Sequence, residues 1–150
     1  MRGFEAVSNA ELRTDLECLK IPSRKTSHSA GYDFSCPHEI TIKAGQSVLI
    51  YTGIKVFMLP DEYLSLHIRS SKGIKQGLML KNCTGIIDSD YCNNYDNEGE
   101  IIACVQNTSD KDVTLAAGEE FMQGIFCKYL TTYNDCTDAE RLGGIGSTDK

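Results

Sequence analysis

Turn-forming residues recur along this chain at short intervals, and the segments they leave between them are strand-length. Ala44-Gly45, Pro60-Asp61, Asn93–Gly99, Asn107–Asp112 and Ala117-Gly118 are the punctuation. Between them Glu39–Lys43 alternates, with Ile40 and Ile42 on one face. Ser47–Phe57 is β-branched and aromatic, broken at Gly53. Tyr63–Ile68 alternates, and Glu100–Gln106, Val113–Leu115 and Phe121–Leu130 continue the pattern. Short strands at this spacing, with three prolines in 150 residues, predict one all-β domain, a sandwich or barrel. One helical signal competes. Ser8-Asn9-Ala10-Glu11 reads as a capping box ahead of Leu12, Leu16 and Leu19, and Pro22 would stop such a helix. The segment is either a short helix or an irregular arm.

Composition narrows the function. A formal charge of −6 argues against nonspecific binding to nucleic acid or to an anionic membrane, both of which need a basic surface. It leaves room for a small polyanion held by a few local cations. No apolar run reaches the ~18 residues of a membrane span. The opening Met-Arg-Gly-Phe-Glu-Ala-Val has no apolar h-region, so no secretory signal is expected. Seven cysteines without a Cys-x-x-Cys pair, and three scattered histidines, do not make a zinc site. They read as reduced thiols of a cytosolic protein, several of them small core residues.

The last ten residues are chemically rich for a chain end. Arg141-Leu142-Gly143-Gly144-Ile145-Gly146-Ser147-Thr148 combines three glycines, two hydroxyls and an arginine. Glycines let backbone N–H groups encircle a phosphate, hydroxyls add donors, and arginine adds a forked cation. A P-loop would need a following Lys-Ser or Lys-Thr and a flanking strand and helix, which this segment lacks. If it binds phosphate, it closes over a site built elsewhere.

Other segments offer pieces of that site. Arg69-Ser70-Ser71-Lys72-Gly73 puts a cation and two hydroxyls at a strand end before a glycine turn, suited to phosphate or simply to a solvated cap. Gly85-Ile86-Ile87-Asp88-Ser89-Asp90-Tyr91 places two acids after an apolar run. In a strand, Asp88 and Asp90 share one face and Ser89 takes the other. Such a carboxylate can act as a general base, hold a cation, or merely end the strand. Ser29-Ala30-Gly31-Tyr32-Asp33 puts an acid after a small-residue turn. Gln123 is a polar residue within an apolar strand, either buried with partners or at a wet edge.

The order of these pieces is more specific than any one of them. Ala-Gly-Tyr-Asp, then Arg-Ser-Ser, then Gly-Ile-Ile-Asp-Ser-Asp-Tyr, then a strand glutamine, then Arg-x-Gly-Gly-x-Gly-Ser-Thr resembles the five motifs of the trimeric dUTPases, from Ser29 to Thr148. The long loop Tyr91–Gly99 and the opening Arg-Gly-Phe-Glu look like the branch found in Gram-positive bacteria and their phages. The resemblance implies a β jelly roll that assembles as a homotrimer, with a mobile C-terminal arm over about residues 134–150. It implies sites shared between subunits: one gives motifs one, two and four, a second gives motif three, and a third lends its arm. It implies cleavage of dUTP to dUMP and pyrophosphate with Mg²⁺, by attack of water on the α-phosphorus.

Carried over by motif, Asp88 is the general base, and a carboxylate is ionised at neutral pH as that role requires. Tyr91 packs against the deoxyribose, so a 2′-hydroxyl clashes. Asn82 faces the uracil edge, and a site built for O4 and N3–H leaves polar groups mismatched against cytosine. Asp33 holds waters on the metal. Ser70 and Ser71 donate to phosphate oxygens, Arg69 positions that turn or balances charge, and Gln123 donates to phosphate. Arg141, Gly146, Ser147 and Thr148 close on the γ-phosphate. Two positions depart from the family pattern. Ile145 stands where a phenylalanine usually stacks on the base, and Glu120 stands where a basic residue is common. A dCTP deaminase relative would need an acid near the Arg-Ser-Ser turn, and Lys72–Leu80 contains none. A regulatory protein using the same scaffold and the Asn93–Gly99 loop to bind another protein is the remaining alternative.

Overall fold

The structure, a computed structural model, describes residues 1–145. Gly146, Ser147 and Thr148 lie outside the described residues. Among those described, strands dominate: β1 (Gly3–Ala6), β2 (Tyr32–Ser35), β3 (Ile40–Ile42), β4 (Ser47–Tyr51), β5 (Ile54–Phe57), β6 (Glu62–Ile68), β7 (Leu78–Leu80), β8 (Gly85–Asp88), β9 (Ile102–Asn107), β10 (Val113–Leu115) and β11 (Glu120–Lys128). One short helix, α1 (Ser70–Gln76), follows β6. The strands pair antiparallel in four groups, β2-β11-β6-β8, β4-β9-β7, β1-β5 and β3-β10. No group closes on itself, so the all-β expectation is met by a jelly-roll-like sandwich rather than a closed barrel.

Alternation in the sequence becomes two-sidedness in the strands. In β9, Ala103, Val105 and Asn107 are buried while Ile102, Cys104 and Gln106 lie toward the surface. Phe34, Ile42, Ile50, Val56, Leu64, Leu66, Val105, Leu115, Phe121 and Met122 share one core. Each such side chain contributes about 1.5–3 kcal/mol by leaving water. Gly53 separates β4 from β5 with φ +70°, and Leu16 packs where its side chain would be: a Cβ there would meet Leu16 Cδ1 at 2.6 Å. That contact holds the N-terminal segment against the sandwich.

Three readings need correction, and an open one is decided. The N-terminal segment is the irregular arm, with only a 3₁₀ turn at Ala10–Leu12, and the capping box is not made. Ser8 spends its backbone N–H and hydroxyl on Glu98, at 3.0 and 2.6 Å, and Leu12 is 86% exposed. The Arg69–Gly73 segment opens α1 rather than a glycine turn, with Gly77 at φ 68° closing the helix. The strand through the two acids stops at Asp88, and Ser89–Tyr91 is a 3₁₀ turn, so strand alternation does not govern Asp90. All seven cysteines are free thiols, but Cys36 alone is buried. Gln123 sits on β11 between β2 and β6, which removes the edge-strand alternative. Among the described residues no helix is long and apolar enough to cross a membrane.

Candidate active site

Two cavities divide the sequence-selected residues between them. The smaller, of about 180 Å³, is lined by Lys25, Ser29, Gly31, Asp33, Arg69, Ser70 and Gln123. Sheet register builds it. Gln123 on β11 lies opposite Asp33 on β2 on one side and His67 on β6 on the other. β6 then delivers Arg69 and Ser70 at its end. Gly31 leaves room for the Gln123 amide: a Cβ there would come within 2.2 Å of Gln123 Oε1 and displace it. Ser71 is exposed on α1 and outside this lining.

Charge in this cavity is balanced. Arg69 donates to Glu120 at 2.5 Å and stands 3.4 Å from Asp33 Oδ1, while Lys25 pairs with the other oxygen of Glu120. Burial raises the Asp33 carboxyl above its ordinary range; Arg69 pulls the other way and Glu120 adds to the rise. Burial also works against ionisation of Glu120, but Lys25 and Arg69 outweigh it and hold that carboxyl below the usual value. Glu120 therefore has both oxygens committed to two cations. Lys25 was not singled out by the sequence, because nothing local marks it. Its place depends on the isolated bridge between Ser23 and Asp33.

The larger cavity, of about 580 Å³, gathers Asn82, Gly85, Asp88, Tyr91, Arg141 and Ile145 with apolar walls from Leu49, Ile86, Ile102 and Ala103. Its size and its mix of apolar wall and few polar groups suit a nucleoside-sized ligand. The third motif and the described part of the fifth thus meet in one place. Arg141 donates from Nη2 to Asp88 Oδ2 at 2.6 Å and from Nε to Asp90 Oδ1 at 2.8 Å. Its guanidinium lies over the Tyr91 ring, 5.7 Å from the centroid. The Gly144 N–H donates to Asp96 Oδ2 at 2.7 Å, so the loop after Tyr91 also holds the arm. The resemblance assigns motif three and the arm to different subunits; within this one chain they touch. Burial raises the Tyr91 phenol above its ordinary range. Asn82 is exposed at the cavity wall and Ile145 is 77% exposed at its mouth.

The two cavities share no residue and lie at opposite corners of one sheet. From Asp33 to Asp88 the path crosses β2, β11, β6 and β8, and runs from His67 to Tyr63 along β6. Three strand spacings and four residues give roughly 14 Å by 13 Å, or about 20 Å in all. Among the described residues no three His, Cys, Asp or Glu side chains converge into a metal centre. Asp33 is the acid that stands beside the phosphate-type donors.

Known proteins match this arrangement along most of the chain. The chain is 40% identical over 150 residues to the deoxyuridine 5′-triphosphate nucleotidohydrolase of Lactococcus lactis, covering 99% of this chain and 97% of that one. The crystal structure of a dUTPase from Streptococcus mutans superposes with a TM-score of 0.76 at 42% identity, covering 87% of this chain and 98% of the other. The dUTPase from phage phi11 of Staphylococcus aureus shares the fold at TM-score 0.72 with 15% identity, over 93% of this chain and 97% of that one. With the dUTPase family model matching residues 17–148, through both cavities and into the arm, the chain belongs to the dUTPase family.

Proposed function

We propose that the protein is a dUTP diphosphatase that cleaves dUTP to dUMP and pyrophosphate, at sites shared between the subunits of a homotrimer. The observation that carries this reading is the larger cavity, where Asn82, Asp88, Tyr91 and Arg141 surround a nucleoside-sized space. Asn82 and nearby backbone groups read the uracil edge. Tyr91 lies under the deoxyribose and rejects a 2′-hydroxyl. Asp88 takes the proton from the water that attacks the α-phosphorus.

The phosphates need donors that this cavity does not supply in sufficient number. Ser70, Ser71 and Gln123 supply them from a neighbouring subunit, with Arg69 positioning that turn or balancing its charge, since about 20 Å separates Asp33 from Asp88 within one chain. Arg141, with Gly146, Ser147 and Thr148 of the arm, clamps the γ-phosphate, and Ile145 covers the base. In the trimer Arg141 leaves the face of Tyr91, which the sugar then takes, and the arm of a third copy closes over the site. Exchange of the Asp88 and Asp90 carboxylates for a phosphate leaves Asp88 free to act as base. Closure of the arm excludes water and completes the site.

The donor set fits Mg²⁺ carried in on the substrate. A single carboxylate, Asp33, whose side chain is 8% exposed, can hold metal-bound waters, and the phosphates supply the remaining oxygens. When bound, Mg²⁺ would neutralise charge along the triphosphate. The substrate and product are nucleotides, and seven free thiols suit a reducing compartment, so the enzyme works in the cytoplasm of a Gram-positive bacterium or its phage-infected host.

A pyrophosphate-release assay across the deoxynucleoside triphosphates tests this. Turnover of dUTP alone is expected. Ammonia release from dCTP would indicate a deaminase, and no turnover of any substrate would leave a regulatory role. Asp88→Asn keeps the shape but cannot take the proton, so it should lower kcat by about 10²- to 10⁴-fold with dUTP still bound. Full rate in that variant would sink the base assignment.

A further inference from the structure

The loop between Tyr91 and Glu100 is built around one hydroxyl. Tyr91 Oη donates to the Glu100 carbonyl at 3.1 Å and accepts from Asn97 Nδ2 at 2.8 Å. Asn97 Oδ1 accepts from Asn94 Nδ2 at 2.8 Å and from the Gly99 N–H at 3.1 Å. Asn94 returns to the start of the loop, donating to the Tyr91 carbonyl at 2.8 Å, and its Oδ1 accepts from the Asp96 and Asn97 N–H groups. The result is a closed circuit from the backbone of Tyr91, through two asparagines, to the tip of its ring. Gly99, at φ 81°, lets the chain pass over that backbone, since a Cβ there would stand 2.7 Å from the Tyr91 carbonyl oxygen. At its far side the loop is pinned by Glu98, which binds Ser8 and Lys55.

Tyr91 lines the larger cavity and Asn97 does not. Asn97 has its amide committed within the loop, so it acts on the cavity through the tyrosine. A ring excludes a 2′-hydroxyl only while it cannot yield to it. A tether at the phenol end fixes both the ring's tilt and its depth.

We propose that Asn97 is the positioning residue for sugar discrimination. It holds the Tyr91 ring in the plane that admits deoxyribose and refuses ribose. The proposal rests on the reading of Tyr91 as the residue under the sugar. It assigns a task to a loop whose residues otherwise look like a solvent-facing insertion.

The test is kcat/KM for dUTP and for UTP on the full-length assembled protein with Mg²⁺. Asn97→Ala should lower the dUTP-over-UTP ratio at least tenfold. Tyr91→Phe cuts the same tether from the other end, and the bond to the Glu100 carbonyl with it, so it should lower the ratio at least as far, which covers a failure of Asn97→Ala to fold. The double variant should fall no further than Tyr91→Phe alone. A loop that only supports folding would change the rates for both nucleotides together and leave the ratio alone. An Asn97→Ala ratio within twofold of wild type, while Tyr91→Ala collapses it, overturns the proposal. Multiplying effects in the double variant overturn it too. A Tyr91→Ala ratio that stays at the wild-type value overturns the reading of Tyr91 instead.

Discussion

Ile145 is the arm residue whose chemistry departs most from its setting. It reaches the mouth of the larger cavity and remains 77% exposed there. An aliphatic branch can shed water from a base but offers no π face. Stacking on an aromatic ring is worth about 1–3 kcal/mol per base in single-strand binders. Ile145 already recovers part of that by contact, so Ile145→Phe should lower KM for dUTP by roughly fivefold, near the small end of that range. Unchanged steady-state constants in the variant would mean that this side chain does not meet the base. At residue scale, side-chain type singled out Asp88 and Arg141 as candidates, and the fold brings the two together. Nothing local was legible at Gly31, whose importance is the 2.2 Å approach of Gln123, a residue more than ninety positions away in sequence.

The elements divide along the same line. Strands β3, β4, β5, β6, β9, β10 and β11 are alternating, β-branched or aromatic runs set between turn residues, and these were readable because each lays apolar side chains into the core. The helix α1 was not, since Gly73 lies mid-helix and a tertiary contact, Lys72 with Glu119, holds the turn. Of the two N-terminal alternatives, the helix lost to a competing partner. Ser8 gives Glu98 the groups it would have used as a cap, and Lys55 donates to the same carboxylate at 2.6 Å. Lys55, the Ser8 hydroxyl and the Ser8 N–H together hold the Glu98 carboxyl at about 2, against 4.5 unperturbed. A depressed folded-state value means stabilisation that is complete above the unfolded pKa and lost as pH falls through the folded one. Glu98→Gln should therefore lower Tm at neutral pH, and its deficit should shrink between about pH 4.5 and about 2. The group is partly exposed, so added salt should narrow the deficit as well. Thermal melts across that range check both, and a deficit independent of pH would locate the loss in packing rather than charge.

At the scale of the molecule, the separation of the cavities decides how the site is assembled. Asp33 and Gln123 lie at one corner of the sheet β2-β11-β6-β8 and Asp88 at the other. Folding brings motifs one, two and four together because β2, β11 and β6 are adjacent, yet it moves motif three away from them on β8. Sequence order could not reveal this, as strand adjacency follows long-range pairing rather than chain position. If neighbouring copies complete each site, the two halves can be supplied by different defective chains. Asp88→Asn lacks the base and Arg69→Ala lacks a phosphate-side cation, and each homotrimer should be nearly inactive. Unfolding the two together and refolding them at equal concentration gives mixed trimers. A site is intact when its third motif comes from an Arg69→Ala chain and its second motif from an Asp88→Asn chain. With random assembly that holds for roughly one site in four, so about a quarter of wild-type activity should return on mixing. A mixture no more active than the mean of its parents would mean that a single chain carries the whole site. Arg69 would then have to reach Asp88 across the sheet through a rearrangement far larger than any side-chain motion.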